Sequence, residues 1–184
     1  LDGSLLHRDT FKFDSIKDYI KSLINDGIII IPNSSKTEVE IEKFNEELGI
    51  QLPFISENGS LIQGLDLINR NFPNKIILSR EKKEIHEIFN LKVPENLKNK
   101  CEFIYQMNKK KQMEIFGLPV DKLKDAVERK FSIPLLFKGD KIDKNKILKV
   151  LKKNSLTFQE GGRVINLCDN VNKVKSMNKV INFF

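Results

Sequence analysis

Leu1-Asp2-Gly3-Ser4-Leu5-Leu6 sets one carboxylate among apolar residues and directly before a glycine. A buried strand ending there delivers an acid to a turn; an aspartate that only caps a turn has the same local appearance. Two other polar turns follow apolar runs in the same way. Asn33-Ser34-Ser35-Lys36 follows Ile28–Ile31, and Asn58-Gly59 follows Pro53–Ser56. Further along, Arg129 with Ser132 and Gly161-Gly162-Arg163 offer guanidinium groups, which grip carboxylates and phosphates with two parallel hydrogen bonds. The paired glycines let backbone approach a ligand closely, and they equally suit a hairpin turn. His7 and His86 stand alone, without the serine, cysteine or carboxylate spacing of a nucleophilic triad. Asp140–Asn145 lacks the central glycine and final glutamate of a calcium loop.

The elements that must hold these residues alternate. Ile16, Tyr19, Ile20, Leu23 and Ile24 recur at helical spacing, with Asp14 or Ser15 as cap and Gly27 at the end. Ile28–Ile31 has the β-branched, wholly apolar character of a strand covered on both faces. Thr37 and Glu40 form a capping box for a second helix, with Ile41, Phe44 and Leu48 inward and Gly49 closing it. Pro53–Ser56 reads as the next strand. Strand, helix, strand, helix, strand implies a parallel sheet flanked by helices, whose ligands bind beyond the carboxyl ends of the strands. Asp2, the Asn33–Lys36 loop and Asn58-Gly59 all fall at those ends.

After residue 78 the rhythm changes. Helices are expected over 81–89, 121–129 and 143–153, and strands over 101–107, 133–137, 156–159 and 164–167. The expected organisation is a core over 1–78, an inserted α+β module over 79–168 and a return to the core over 169–184. That last segment has Val174, Met177, Val180 and Ile181 at helical spacing and ends in Phe183-Phe184.

The 184 residues have 40% hydrophobic and 31% charged content, enough apolar material for an ordinary core. Two cysteines, Cys101 and Cys168, without metal-like spacing point to a reducing compartment. No apolar run approaches a membrane span and no signal peptide stands at the start, so a cytoplasmic protein without a membrane partner is expected. The net charge of +7 raises the question of nucleic acid. The densest cluster is Lys109-Lys110-Lys111, and most other lysines alternate with acids. With no tryptophan and two tyrosines, no interleaved aromatic and basic stripe is present, and a solvated lysine surface is the expectation rather than nucleic-acid binding.

Asp2-Gly3-Ser4-Leu5-Leu6 resembles the tail of the first motif of haloacid dehalogenase-type phosphatases, DxDG[TS]LL. The stretch from Ile28 to Ile62, with its Ser35-Lys36-Thr37 and Glu57-Asn58-Gly59, resembles the second motif and third strand of the sugar-phosphatase branch. Residues 117–137 and 158–167, with Arg129, Phe131-Ser132, Pro134 and Gly161-Gly162-Arg163, are similar to the cap of the mannosyl-3-phosphoglycerate phosphatases. The match runs in order along most of the chain. It implies a Rossmannoid α/β core with an inserted α+β cap, and magnesium-dependent hydrolysis of a phosphate monoester through an aspartyl-phosphate. It makes Asp2 the general acid/base, with its carbonyl on magnesium. Gly3, Ser34 (or Ser35) and Lys173 (or Lys175) bind phosphate, the lysine also neutralising charge as a catalytic group. Lys36, Asn58, Arg129, Ser132, Gly161, Gly162 and Arg163 contact substrate. The implied substrate is mannosyl-3-phosphoglycerate; glucosyl-3-phosphoglycerate and sucrose phosphate are the alternatives within the class.

The same resemblance places the nucleophilic aspartate immediately before Leu1 and an acidic magnesium motif beyond Phe184. Without them the 184 residues are expected not to turn over substrate. The favoured expectation is a piece of a longer enzyme; the alternative is a non-catalytic remnant that binds a phosphorylated ligand.

Overall fold

A computed structural model describes residues 13–161 and 163–184 of the chain. Asp2, Gly3 and Gly162 lie outside the described residues. The chain divides into two units, one running to Leu78 and resuming over Asn172–Phe184, the other Ser79–Val171.

In the first unit, helix α1 (Asp14–Asn25) begins one residue earlier than a cap at Asp14 would set it and two earlier than a cap at Ser15. Phe13 holds the N-cap position without a side-chain bond, and Asp14 lies in the first turn. Phe13 is placed there by packing, since its ring lies 4.8 Å from Phe44 in a cluster with Ile20, Leu48 and Leu52. The helix ends as a Schellman turn: Gly27 adopts φ +83°, its N–H donates to Ile24, and the Ile28 N–H donates to Leu23, both at 3.0 Å. Ile28–Ile31 then departs from the expected doubly covered strand. Ile28 and Ile29 are each 49% exposed, and among the described residues the segment joins no ladder. Its pairing is confined to one parallel bridge, Asn33 with Ile55, made by Ile55 N–H to the Pro32 carbonyl (2.8 Å) and Ser34 N–H to the Ile55 carbonyl (2.9 Å). Pro32 has no N–H to carry a ladder onward.

Helix α2 (Glu38–Leu48) opens with the full capping box. The Thr37 N–H donates to the Glu40 carboxylate (2.9 Å), the Glu40 N–H donates to the Thr37 hydroxyl (3.2 Å), and Gly49 closes the helix in the left-handed conformation. Strands β1 (Phe54–Ser56), β2 (Leu61–Gln63) and β3 (Lys75–Ile77) follow as an antiparallel sheet, with Ile55 opposite Ile62 and Ile62 opposite Ile76. The described ladders are therefore antiparallel, and the parallel character expected of the core is carried by the single bridge.

The second unit contains helices α3 (Lys82–Lys92) and α4 (Glu95–Lys98), strand β4 (Cys101–Phe103), helices α5 (Lys109–Phe116) and α6 (Val120–Val127), strand β5 (Ser132–Phe137), helix α7 (Lys141–Lys153) and strands β6 (Leu156–Glu160) and β7 (Ile165–Asp169). The four strands form an antiparallel sheet in the order β4-β5-β7-β6. Ile85 and Phe89 of α3 and Ile147 and Leu151 of α7 bury one face of it against Ile133, Leu135 and Leu167. The strand expected over 101–107 stops at Phe103, because Ile104–Gln106 turns into a 3-10 helix. The helix expected to reach Arg129 ends at Val127. Residues 169–171 belong with this unit rather than ending it at 168, since Asp169 pairs with Leu156 across β6 and β7.

Helix α8 (Lys173–Ile181) returns the chain to the first unit. The Asn172 side chain caps it by accepting from the Lys175 N–H (2.9 Å), and Val180 packs with Ile55, Ile62 and Leu65.

Candidate functional site

Three polar segments of the first unit meet where β1 ends. Ser34 is 2% exposed; its hydroxyl accepts from the Lys36 N–H (3.2 Å), and its carbonyl accepts from the Asn58 N–H (3.0 Å). The Lys36 carbonyl accepts from the Glu57 N–H (2.8 Å). Glu57 and Asn58 both hold positive φ, a turn that presents successive backbone groups to one side. The third segment is the first turn of α8. The Asn33 amide donates to the Lys173 carbonyl (3.0 Å), and the Ser176 hydroxyl donates to the Gly59 carbonyl (2.7 Å). Gly59 is required there on two counts. Its φ is +105°, and a Cβ would stand 2.6 Å from the Asn172 carbonyl oxygen.

Ser34, Lys36, Asn58 and Lys173 are thus brought to one edge of one unit; the strand-end rule pointed to the first three, and Lys173 came from the family resemblance. They differ in what they offer. Lys173 is exposed at the helix start, whereas the Lys36 ammonium makes an ion pair with Glu40 at 3.2 Å, both side chains largely covered. Ser35 and Lys175 are exposed neighbours of the same two turns. Asn33 and Ser176 are the residues that sequence reasoning left without a role. The signal for Ser176 was a small polar residue inside an apolar helical repeat, four residues after the Asn172 cap.

In the second unit, Arg129 is buried, with its Nε donating to the Ser132 hydroxyl (2.7 Å) and Nη1 to the Ala126 carbonyl (3.5 Å). Gly161 closes the hairpin between β6 and β7, its N–H donating to the Val164 carbonyl (2.9 Å), and Arg163 donates to the Phe116 carbonyl at the end of α5. Ser132 pairs with Cys168, while the hairpin starts β7 at Ile165. The two arginine groups therefore lie toward opposite ends of β7, separated by roughly 10 Å of strand. The structure does not bring them together.

Sequence reasoning gave no hint of Arg80 and Asp169, which sit 89 residues apart. The Asp169 carboxylate accepts from the Arg80 backbone N–H (2.6 Å), Arg80 Nε (2.9 Å), Arg80 Nη2 and the Ser79 hydroxyl (3.3 Å), and Nη2 also donates to the Asn154 carbonyl (2.9 Å). The hydrogen bonds to Asp169 raise the Arg80 pKa further, against the opposing effect of burial. The segments that enter and leave the second unit are tied together at this point. A cleft of about 670 Å³, wholly within that unit, is lined by His86, Phe89, Cys101, Phe103, Gln106 and Lys111 among others. Burial, helped by Lys82, lowers the His86 pKa, and burial pushes the Cys101 thiol up to about 11.

Comparison with known proteins decides the family. The family of haloacid dehalogenase-like hydrolases matches residues 1–184. The chain is a haloacid dehalogenase-like hydrolase. It is 28% identical over 178 residues to a glucosyl-3-phosphoglycerate/mannosyl-3-phosphoglycerate phosphatase of Persephonella marina, covering 91% of the chain and 64% of that protein. It is 27% identical over 194 residues to a protein of the same description from Methanococcoides burtonii, covering 96% of the chain and 68% of that protein. The chain thus spans about two thirds of the length of these relatives. A haloacid dehalogenase-like hydrolase of B. subtilis shares the fold with a TM-score of 0.65 at 15% identity, covering 99% of this chain and 76% of that one. The α/β fold class expected from the sequence is that of the family.

Among the described residues no group of three or more histidines, cysteines or acids is placed to hold a metal ion. No described helix is long and apolar enough to cross a membrane.

Proposed function

We propose that the chain forms the larger part of a cytoplasmic phosphate-monoester hydrolase that converts mannosyl-3-phosphoglycerate to mannosylglycerate and phosphate, with glucosyl-3-phosphoglycerate as the competing substrate. One observation carries the reading. The Ser34 turn, the Asn58 turn and the Lys173 end of α8 are bonded to one another at the end of β1, at Ser34–Asn58, Asn33–Lys173 and Gly59–Ser176. A hydroxyl and an exposed ammonium held at one edge are what a phosphoryl group needs. The match to the family over residues 1–184 and the activities named for its relatives support the class of substrate.

In this reading Gly3 contributes to phosphate binding. Asp2 protonates the leaving alkoxide and later takes a proton from water. Ser34 binds a phosphoryl oxygen, and Lys173 neutralises the charge that develops on it. Arg129, Ser132, Gly161, Gly162 and Arg163 of the second unit, with Lys36 and Asn58, select the glycosylated glycerate. Magnesium, held in part by the Asp2 carbonyl, supplies charge compensation when bound. The described residues do not by themselves form its ligand set. The complete protein, supplied with magnesium, is expected to release phosphate from mannosyl-3-phosphoglycerate faster than from glucosyl-3-phosphoglycerate or sucrose phosphate. Equal rates on all three would overturn the substrate assignment, and no release from any would overturn the reaction.

A further inference from the structure

Asn33 lies beside the proposed phosphate site, and its carboxamide is only half used. The Lys173 carbonyl can only accept, so the nitrogen of Asn33 must be the atom that faces it, at 3.0 Å. The other end, Oδ1, is then fixed by elimination, and it is buried without any hydrogen-bond partner. A buried amide oxygen left unpaired costs free energy comparable to a lost hydrogen bond, so its retention calls for a donor in some state of the protein. Nearby donors are limited. Among the described residues, the Ser34 N–H donates to the Ile55 carbonyl in the bridge beside Asn33, and the Lys36 and Asn58 N–H groups donate to Ser34, so these three backbone donors are already committed. The residue whose carbonyl Asn33 already grips carries an exposed ammonium on a flexible four-carbon stem, with three donors to distribute.

We infer that Asn33 is a positioning residue for Lys173: its Nδ2 fixes the backbone of the first turn of α8, and its Oδ1 receives the Lys173 ammonium when an anion occupies the Ser34 turn. One ammonium N–H then goes to Asn33 and the other two remain for phosphoryl oxygens. Held from behind, the ammonium presents its charge in one place instead of sampling many rotamers. The rest of the first turn is already braced by Ser176 on Gly59, so Asn33 acts on the side chain as well as on the helix. The inference rests on the phosphate site proposed above.

A double-mutant cycle tests it in the complete protein, with inorganic phosphate as the probe and its dissociation constant as the readout. Asn33→Leu and Lys173→Met are each expected to weaken phosphate binding by about tenfold, the scale of one charge-assisted hydrogen bond. The double variant is expected to bind no more weakly than Lys173→Met alone, whereas melting temperatures fall additively. In a Lys175→Met background, Asn33→Leu is expected to keep its full effect. If Asn33→Leu does not fold, Asn33→Ala runs the same cycle. Independent, additive losses, coupling to Lys175 instead, or unchanged binding in the Asn33 variant would each overturn the inference while leaving the phosphate site standing. Unchanged binding in Lys173→Met would overturn the site itself.

Discussion

Gly59→Ala is the sharpest perturbation the structure offers at the site. Alanine at φ +105° is strained by about 1–3 kcal/mol before any contact is considered. Its Cβ would also stand 2.6 Å from the Asn172 carbonyl oxygen, so the start of α8 must retreat by about 0.8 Å (3.4 minus 2.6) to restore ordinary contact. That retreat loosens the Ser176–Gly59 bond and the packing of Val180, together worth about 1–2 kcal/mol more. The expected cost is therefore about 3 kcal/mol, and it is accompanied by weaker phosphate binding because Lys173 rides on the displaced turn. Gly27→Ala is the internal control. Its φ of +83° carries a similar backbone penalty, but nothing lies within 4 Å of the new Cβ, so about 1 kcal/mol is expected. Urea unfolding followed by circular dichroism compares the two midpoints at constant m value. Equal losses for Gly27→Ala and Gly59→Ala, with phosphate binding intact in both, would refute the close approach of α8 to the Asn58-Gly59 turn.

Other outcomes follow from the second unit. Arg80→Ala strips the guanidinium from an Asp169 carboxylate that is 8% exposed, and about 2–4 kcal/mol of stability should be lost. Arg80→Lys should recover little of it, because an ammonium cannot span both Asp169 and the Asn154 carbonyl. The Arg80 pKa is raised, so its contribution is present below the unfolded value and lost only as pH rises through the folded one; thermal melts of the two variants against wild type should differ equally at pH 6 and pH 9. His86 behaves in the opposite sense. Its folded pKa is lowered, so its contribution is present above pH 6.5 and is lost as pH falls through the folded value; His86→Phe should flatten the fall in melting temperature between pH 7.5 and 5, and an unchanged slope would contradict this. Both cysteines are buried and the Cys101 thiol is raised to about 11, so neither should react with an alkylating reagent at pH 8 until urea is added; rapid native labelling, read by mass, would contradict their burial.

How far the sequence disclosed this arrangement depends on the range over which each residue acts. Thr37 and Glu40 belong to one turn of chain, and their capping box is found as expected. The meeting of the Ser34 and Asn58 turns was legible because polar turns after apolar runs mark the strand ends where ligands bind, whereas Lys173 was suggested only by the family resemblance. The ladder was not. β2 and β3 are each three residues long, too short for alternation to register, and pairing across the sheet makes them strands. Ile28–Ile31 shows the converse: a β-branched apolar run marks strand preference, but among the described residues its pairing stops at the Asn33–Ile55 bridge, where Pro32 has no N–H to extend it. Helix α5 was hidden by Lys109-Lys110-Lys111, although Asn108 as cap and Gly117 in the left-handed conformation were readable at its ends. The Arg80–Asp169 clamp joins residues 89 positions apart and has no local signature at all.

The account stands on the edge shared by the Ser34 turn, the Asn58-Gly59 turn and the start of α8 being a phosphate site. A titration of the isotopically labelled complete protein with inorganic phosphate, read residue by residue in amide NMR spectra, tests this most directly. Saturable shifts concentrated at 33–36, 58–59 and 173–176, and absent in Lys173→Met, are the predicted result. Shifts concentrated instead around the His86 cleft, or none at all, would contradict it.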